Sequence, residues 1–128
     1  MIAWNFCLMR PDRIKALVNT SIVFQPRNPA VQPIQRYRAL LGDGFYMSWE
    51  LSSSWTGSQI KVPVKFLIGD LDLTYHFPGV KEYIDNGDFK KYVPLLETVV
   101  VMEGVAHFLN QERPEEVSEH IYDFIKKF

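Results

Sequence analysis

The sequence predicts an α/β fold with about three parallel strands flanked by helices. Two observations carry this prediction. First, Val62–Ile68 and Glu97–Met102 are short runs rich in β-branched residues, and a Gly with a carboxylate beside it closely follows each. Second, the elements run as helix, strand, insert, strand, two helices, strand and helix, which is an order that builds a parallel sheet with crossover helices.

Length, composition and charge exclude several classes of protein. At 128 residues the chain suits one domain, residues 1–128, and 47% hydrophobic content favours a packed core. The net charge of -1, without a basic patch, argues against a nucleic-acid partner. No apolar run is long enough to span a membrane, and the N-terminus lacks a secretory signal. The lone Cys7 cannot form an internal disulfide and is interpreted as a small buried hydrophobe. Together with the lack of a membrane span and of a secretory signal, this predicts a cytoplasmic location.

The first part of the chain predicts a helix, a turn and a strand. Ile2–Met9 is apolar on nearly every side, so we expect a helix with neighbours on several faces. Pro11-Asp12-Arg13 is typical of a turn, and Ile14–Ser21 is a β-branched-rich strand candidate. These elements form half of a βαβ unit without its first strand.

The middle of the chain, residues 24–57, has a different character. Three prolines make Phe24–Pro33 an extended connector, and Ile34–Leu41 could form two helical turns before Gly42. Residues 43–57 contain four aromatic side chains without a sustained period. That apolar content is high for a loop and indicates a junction or a surface that expects a cover.

The remaining elements predict the sheet and its helical layers. Val62–Ile68 is a buried strand, Pro78 begins a short helix through about Ile84, and Asp88 is predicted to cap a further turn over Phe89–Tyr92. Three consecutive valines in Glu97–Met102 indicate a strand covered on both faces.

Arg113-Pro114 opens the last helix, and Lys126 and Lys127 are expected in its final turn, where cations suit the helix dipole. Five apolar residues of this helix recur at the spacing of one face: Val117, Ile121, Phe124, Ile125 and Phe128.

Two loops carry candidate catalytic residues. Asp70 and Asp72 follow one predicted strand and His107 follows the next, and active sites of open α/β sheets lie beyond the carboxyl ends of strands. A carboxylate beside an imidazole is the acid and base of a hydrolytic triad. Asp70 competes with Asp72, although bracing a turn is its common structural role. His76 and His120 are interpreted as structural or exposed, and the sequence has no metal-ligand spacing and no phosphate loop.

Three segments, GDLDLTYHFPG (69–79), EGVAHFLNQERPEEV (103–117) and the final HIYDFIKKF, resemble the C-terminal third of plant soluble epoxide hydrolases. The resemblance implies the C-terminal portion of an α/β-hydrolase fold and hydrolysis of an epoxide to a vicinal diol through an ester, without a cofactor. It assigns Asp72 as the residue that orients the base and His107 as the residue that activates water. Tyr46, in a Gly-Asp-x-x-Tyr segment, is the candidate for one of the lid tyrosines that bind the epoxide oxygen.

The chain also departs from the family's pattern. Residues 2–19 resemble the helix and strand after the nucleophile, so the nucleophilic Asp and the oxyanion loop would precede Ile2 and are not in this chain. Between Met47 and Ser48 the sequence passes from the start of the lid to its exit, so residues 24–57 are a remnant of the lid and its junction. The resemblance therefore implies a truncated chain, deleted for most of its lid, that is inactive alone.

Two alternatives remain open. The chain could be a non-catalytic interaction fragment that forms a homodimer through the unpaired edge of the Ile14–Ser21 strand. It could also be a piece of another α/β-hydrolase, since esterases and dehalogenases share the Asp/His geometry.

Overall fold

Three parallel strands lie side by side in the order β1 (Leu17–Thr20), β2 (Val64–Gly69) and β3 (Leu96–Met102). The computed structural model describes residues 2–24 and 57–128. Apart from residues 57 and 58, the described residues belong to one compact unit. The predicted α/β class, with about three parallel strands flanked by helices, is confirmed.

Helices precede, connect and follow these strands. A 3-10 turn, Pro11–Arg13, separates the first helix from β1. The helices are α1 (Ile2–Met9), α2 (Val80–Asp85), α3 (Asp88–Tyr92), α4 (Leu109–Glu112) and α5 (Pro114–Ile125).

The strands differ from the predicted bounds for reasons of pairing. β2 begins at Val64, because Pro63 has no N–H to donate and contributes only its carbonyl, which accepts from Leu17 N–H at 2.9 Å. β1 is limited to Leu17–Thr20, because Leu17 lies opposite Val64, the first residue of β2. Residues before Leu17 therefore have no partner in β2.

Side chains of β2 alternate between two cores. Val64, Phe66 and Ile68 point into the larger core, which also contains Trp4 and Phe89. Leu67 points into the smaller core with four other buried residues: Met102, Val105, Leu109 and Val117. Both faces of β2 are therefore covered, and the buried strand carries the loop that follows it.

β3 is less covered than predicted. Its pairing with β2 shifts by one residue, since Val64 pairs with Leu96 and Lys65 pairs with Thr98, which leaves Glu97 as the extra residue of a bulge. Val99 and Val100 are half-buried and Val101 is 42% exposed. Within the described sheet β3 is an edge strand, so the three valines do not make a strand buried on both faces.

The α1 helix buries one side rather than several. Trp4 and Cys7 are buried, and the Trp4 indole N–H donates to the Ile22 carbonyl at 2.9 Å. Ile2 is 85% exposed and Met9 is 55% exposed, so the expectation of neighbours on several faces is wrong for the described residues.

Three smaller expectations, two about helix ends and one about the apolar stripe of α5, are also wrong. Asn86, not Asp88, accepts the hydrogen bond at the start of α3, because its Oδ1 reaches the Asp88 N–H at 2.9 Å, two residues along the chain. Lys126 and Lys127 lie beyond the end of α5 and pair with Asp123 and Glu97 instead of the helix terminus. Within the predicted stripe of α5, Val117 and Phe124 are buried, whereas Ile125 and Phe128 are exposed.

Several predictions fall on residues 25–56, which lie outside the described residues. These are most of the Pro-rich connector, the lid remnant and Tyr46. Within the described part of the chain, no helix has both the length and the apolar character needed to cross a membrane.

Candidate functional site

Two loops meet at the carboxyl ends of β2 and β3. The β2 loop comprises residues 70–77 and the β3 loop comprises residues 103–108. Their backbones are joined directly, because Leu71 N–H donates to the Val105 carbonyl at 3.0 Å. Beside this contact, Asp70 N–H donates to the carbonyl of Met102, the last residue of β3, also at 3.0 Å. The two loops therefore hold their side chains in a fixed relation to each other.

Asp72 and His107 are brought together across these loops. His107 Nδ1 lies 3.0 Å from Oδ2 and 3.1 Å from Oδ1 of Asp72. The Asp72 side chain is fully buried, whereas the His107 side chain is 42% exposed. A carboxylate accepts only, so Nδ1 carries the proton and leaves Nε2 free to accept one. A half-exposed imidazole oriented in this way is equipped to act as a general base.

Thr74 supports the Asp72 carboxylate. Its backbone N–H and its hydroxyl both lie 2.8 Å from Asp72 Oδ1. Burial raises the pKa of the Asp72 carboxyl, but the hydrogen bonds from Thr74 and His107 together outweigh burial, so the net pKa lies below the ordinary value of 3.8. The Asp72 side chain is therefore ionised at neutral pH and provides a fixed negative charge beside His107.

Asp70 has a different role from Asp72. Its Oδ1 accepts from the backbone N–H groups of Gly104 at 2.7 Å and Val105 at 3.3 Å. Asp70 thus braces the β3 loop rather than the turn after Gly69, and its carboxylate has no hydrogen bond to His107 among the described contacts. The two carboxylates of the Gly-Asp-Leu-Asp turn hold, respectively, the backbone and the imidazole of the same neighbouring loop.

Two further side chains hold the backbone around His107. The Glu112 carboxylate accepts from Ala106 N–H at 2.9 Å and from Phe108 N–H at 3.2 Å, on either side of the histidine. The Ser21 hydroxyl donates to the His107 carbonyl at 2.8 Å. The position of the imidazole is therefore determined by backbone contacts as well as by Asp72.

The other two histidines lie elsewhere. The His76 ring donates from Nε2 to the Asp70 carbonyl at 2.6 Å and is exposed, and His120 lies beside Lys65, with Nδ1 3.3 Å from Nζ. Tyr46 lies outside the described residues. Within residues 2–24 and 57–128, no three acidic, His or Cys side chains are grouped so that they could hold a metal ion.

Sequence reasoning missed Ser21, Thr74 and Glu112. Thr74 had a signal, because an Asp carboxylate commonly accepts from the N–H two residues along the chain, and here Asp72-Leu73-Thr74 forms that turn. Ser21 and Glu112 could not be found from the local sequence, because their contacts depend on the path of the distant β3 loop.

The chain is similar in sequence and in fold to several known proteins. No family model matches the chain. Epoxide hydrolase 1 of Siraitia grosvenorii is 40% identical over an alignment of 210 residues, which includes all of this chain and 67% of that protein. A crystal structure of an epoxide hydrolase from Vigna radiata superposes with a TM-score of 0.89 at 38% identity, over 99% of this chain and 65% of that one.

A third protein, the potato (Solanum tuberosum) epoxide hydrolase I, has a TM-score of 0.88 and 36% identity over 99% of this chain. The chain spans about two thirds of the length of each of these proteins. High identity over the whole chain and close superposition of the described fold point to the same conclusion. The chain belongs to the plant epoxide hydrolases, with an α/β-hydrolase fold.

Proposed function

We propose that Asp72 and His107 are the acid–base pair that hydrolyses an ester intermediate when an epoxide and water are converted to a vicinal diol. The observation that carries this proposal is the 3.0 Å contact between Nδ1 of a half-exposed His107 and the buried carboxylate of Asp72. Because each of the relatives compared is an epoxide hydrolase, they favour this chemistry over that of an esterase or a dehalogenase.

The proposed step follows from the two ring nitrogens. Nε2 of His107 takes a proton from water, and the resulting hydroxide attacks the carbonyl carbon of the ester. The C–O bond to the diol oxygen then breaks, and that oxygen receives the proton from Nε2. Asp72 stabilises the imidazolium that exists between these two transfers, because its charge is buried and 3.0 Å away. This step needs no metal ion and no organic cofactor.

The remaining parts of the proposed reaction lie outside the described residues. Tyr46 is proposed to donate a hydrogen bond to the epoxide oxygen, and residues 24–57 are proposed to be the remnant of a lid. An internal deletion is supported by the alignment with the Siraitia relative, which extends over 210 residues although this chain has 128. We propose that this deletion lies within the lid, between Met47 and Ser48. The nucleophilic Asp of the family is proposed to precede Ile2.

The 128-residue polypeptide is therefore proposed to be inactive by itself. Without a carboxylate nucleophile no ester forms, and His107 has no intermediate to hydrolyse. Purified polypeptide incubated with an aryl epoxide is expected to yield no more diol than buffer. Diol formation that disappears in His107→Ala would contradict this expectation.

A chimera tests the acid–base pair directly. Residues 59–128 of this chain replace the corresponding C-terminal part of the Siraitia relative, which supplies the remainder of the enzyme. The chimera is expected to hydrolyse the epoxide, and His107→Gln is expected to abolish turnover, whereas the matched variant His120→Gln retains it. A folded chimera that remains active with His107→Gln would refute the proposed role.

A second function is favoured by the exposed surface of the described fold. Within the described sheet β1 pairs with β2 alone, and α1 exposes Ile2 and Met9. An open strand edge and exposed apolar side chains each favour pairing with a second copy of the chain. We propose a homodimer as this alternative, and light scattering after size-exclusion chromatography should then give twice the mass of 14.9 kDa. A monomer at micromolar concentration would contradict it.

A cytoplasmic location is proposed from the lone cysteine. Cys7 is buried and has no second cysteine in the chain with which to form a disulfide, as is usual for proteins of reducing compartments. Imaging of a fluorescent fusion in plant cells would test this, and fluorescence confined to a membrane-bound organelle would contradict it.

A further inference from the structure

Ser21 has an unusual backbone conformation at the end of β1. Its φ of 64° makes it the one non-glycine residue with a positive φ among the described residues. Ile22 N–H donates to the Thr20 carbonyl at 2.7 Å, so the chain makes a three-residue turn centred on Ser21. Such a conformation is strained for a residue with a side chain, and it persists only where the surrounding contacts impose it.

All the polar groups of Ser21 have partners. The residue is buried, and its N–H donates to the Leu67 carbonyl of β2 at 2.9 Å. Its hydroxyl donates to the His107 carbonyl at 2.8 Å, and its own carbonyl accepts from the Thr74 hydroxyl at 2.8 Å. One residue therefore binds β2, the β3 loop and the β2 loop at the same time.

Thr74 connects Ser21 to the Asp72 carboxylate. The Thr74 hydroxyl lies 2.8 Å from the Ser21 carbonyl and 2.8 Å from Asp72 Oδ1, but it has one proton for two acceptors. The position of the Ser21 carbonyl thus affects how strongly Thr74 binds Oδ1, which also lies 3.1 Å from Nδ1 of His107. Ser21 contacts the main chain of His107 directly and reaches Asp72 through Thr74.

We propose that Ser21 is a positioning residue, which sets the distance between Asp72 and His107 by binding the loops that carry them. The left-handed turn is necessary for this, because it directs the hydroxyl and the carbonyl of a single residue to two different loops. The inference rests on the acid–base pair proposed above. It adds a third element, the end of β1, to a site that the sequence placed on two loops.

The Nδ1 proton of His107 provides the measurement. In the 15N-labelled 128-residue chain, this proton is expected to give a downfield resonance, assigned by its absence in His107→Gln. In Ser21→Gly, which tolerates the positive φ but has no hydroxyl, we expect an upfield shift and exchange with water faster by roughly three- to tenfold. Ser118→Ala is the matched control, because that hydroxyl also donates to a carbonyl, that of Pro114, but the contact is exposed and lies within α5.

The possible outcomes distinguish failure of the Ser21 role from failure of the Asp72–His107 pair. An unchanged resonance in a folded Ser21→Gly would overturn the positioning role, even if the urea midpoint falls, because a purely structural serine would affect stability alone. If Ser21→Gly does not fold, Thr74→Val breaks the same connection from the other side, and an unchanged resonance there would overturn the role as well. Absence of the resonance in the folded parent chain would contradict the Asp72–His107 pair itself, and with it the role of Ser21.

Discussion

Gly69 and Val105 lie so close together that a Cβ built on Gly69 would be 2.0 Å from the Val105 carbonyl oxygen. The same Cβ would lie 2.6 Å from the Ala106 carbonyl oxygen, so two backbone groups of the β3 loop occupy the space of a side chain. Gly69 is the last residue of β2, and Leu71 N–H binds the same Val105 carbonyl. The absence of a side chain here allows the two site loops to touch.

Gly69→Ala is therefore expected to force the two loops apart. Neither contact is with a flexible side chain, so we expect the free energy of unfolding in urea to fall by about 3 kcal/mol or more. Gly87→Ala is the matched control, because Gly87 has open space around it and a φ of 84°, and strain alone should cost about 1 kcal/mol. Equal losses in the two variants would contradict a steric origin.

Glu112→Gln is expected to loosen the β3 loop on both sides of His107. The amide has one acceptor oxygen where the carboxylate has two, so either Ala106 N–H or Phe108 N–H loses its partner. We expect hydrogen exchange at these amides to accelerate by about tenfold and stability to fall by about 1 kcal/mol. Glu119→Gln, on the exposed face of α5, should leave both exchange rates unchanged, and equal effects of the two variants would argue against the contact.

Thr74→Val should weaken the binding of the Asp72 carboxylate while keeping the shape of the side chain. The partly buried hydroxyl bond to Oδ1 is lost, which is expected to cost about 1–3 kcal/mol in the free energy of unfolding. Thr74→Ser, which retains the hydroxyl, should recover most of this loss. Failure of the serine variant to recover stability would indicate that the methyl group, not the hydroxyl, is important.

Stability should depend on pH through Asp72 in a defined direction. Because the pKa of Asp72 is lowered in the folded chain, its carboxylate stabilises the fold above the unfolded carboxyl value, about 3.9, and this contribution is lost as the pH falls through the lower folded value. The difference in unfolding free energy between the parent and Asp72→Asn should therefore be largest near neutral pH and shrink in acid. Urea titrations at pH 7, 5 and 3 measure it.

Asp123→Asn is the control for this pH dependence. The pKa of Asp123 is also lowered, by its hydrogen bond to Lys126, but that pair is exposed and solvent screens it. We expect a smaller difference from the parent at every pH. A difference for Asp72→Asn that grows in acid would be the opposite of the expected sign.

Much of this fold was predictable because its signals are local. The strands were located to within a few residues by their composition and by the Gly-Asp turn, and the last helix was located by Pro114. Parallel strands then bring the loops that follow them to one edge of the sheet. The choice between Asp70 and Asp72 came from resemblance. The structure gives the two carboxylates different partners, Gly104 N–H for Asp70 and the imidazole of His107 for Asp72.

The features that the sequence did not predict depend on distant partners. The start of β1 depends on where β2 begins, which Pro63 decides more than 40 residues away. The positive φ of Ser21 could not be predicted from the local sequence, because residues that adopt such a φ are usually glycine or asparagine and this one is serine. The exposure of Val101 follows from the position of β3 at the edge of the described sheet rather than from its composition.

The bulge at Glu97 determines which side chains of β3 face the larger core. Leu96 and Val99 are three positions apart, yet both contact the larger core, because the extra residue resets the alternation of side chains. It also brings Met102 level with Gly69, so β2 and β3 end at the same height. A homologue without the extra residue at Glu97 would lose the bulge, but we expect Thr98 to Met102 to keep their partners in β2. Length differences between relatives in this strand can therefore be harmless to the site, provided that they fall on the N-terminal side of Thr98.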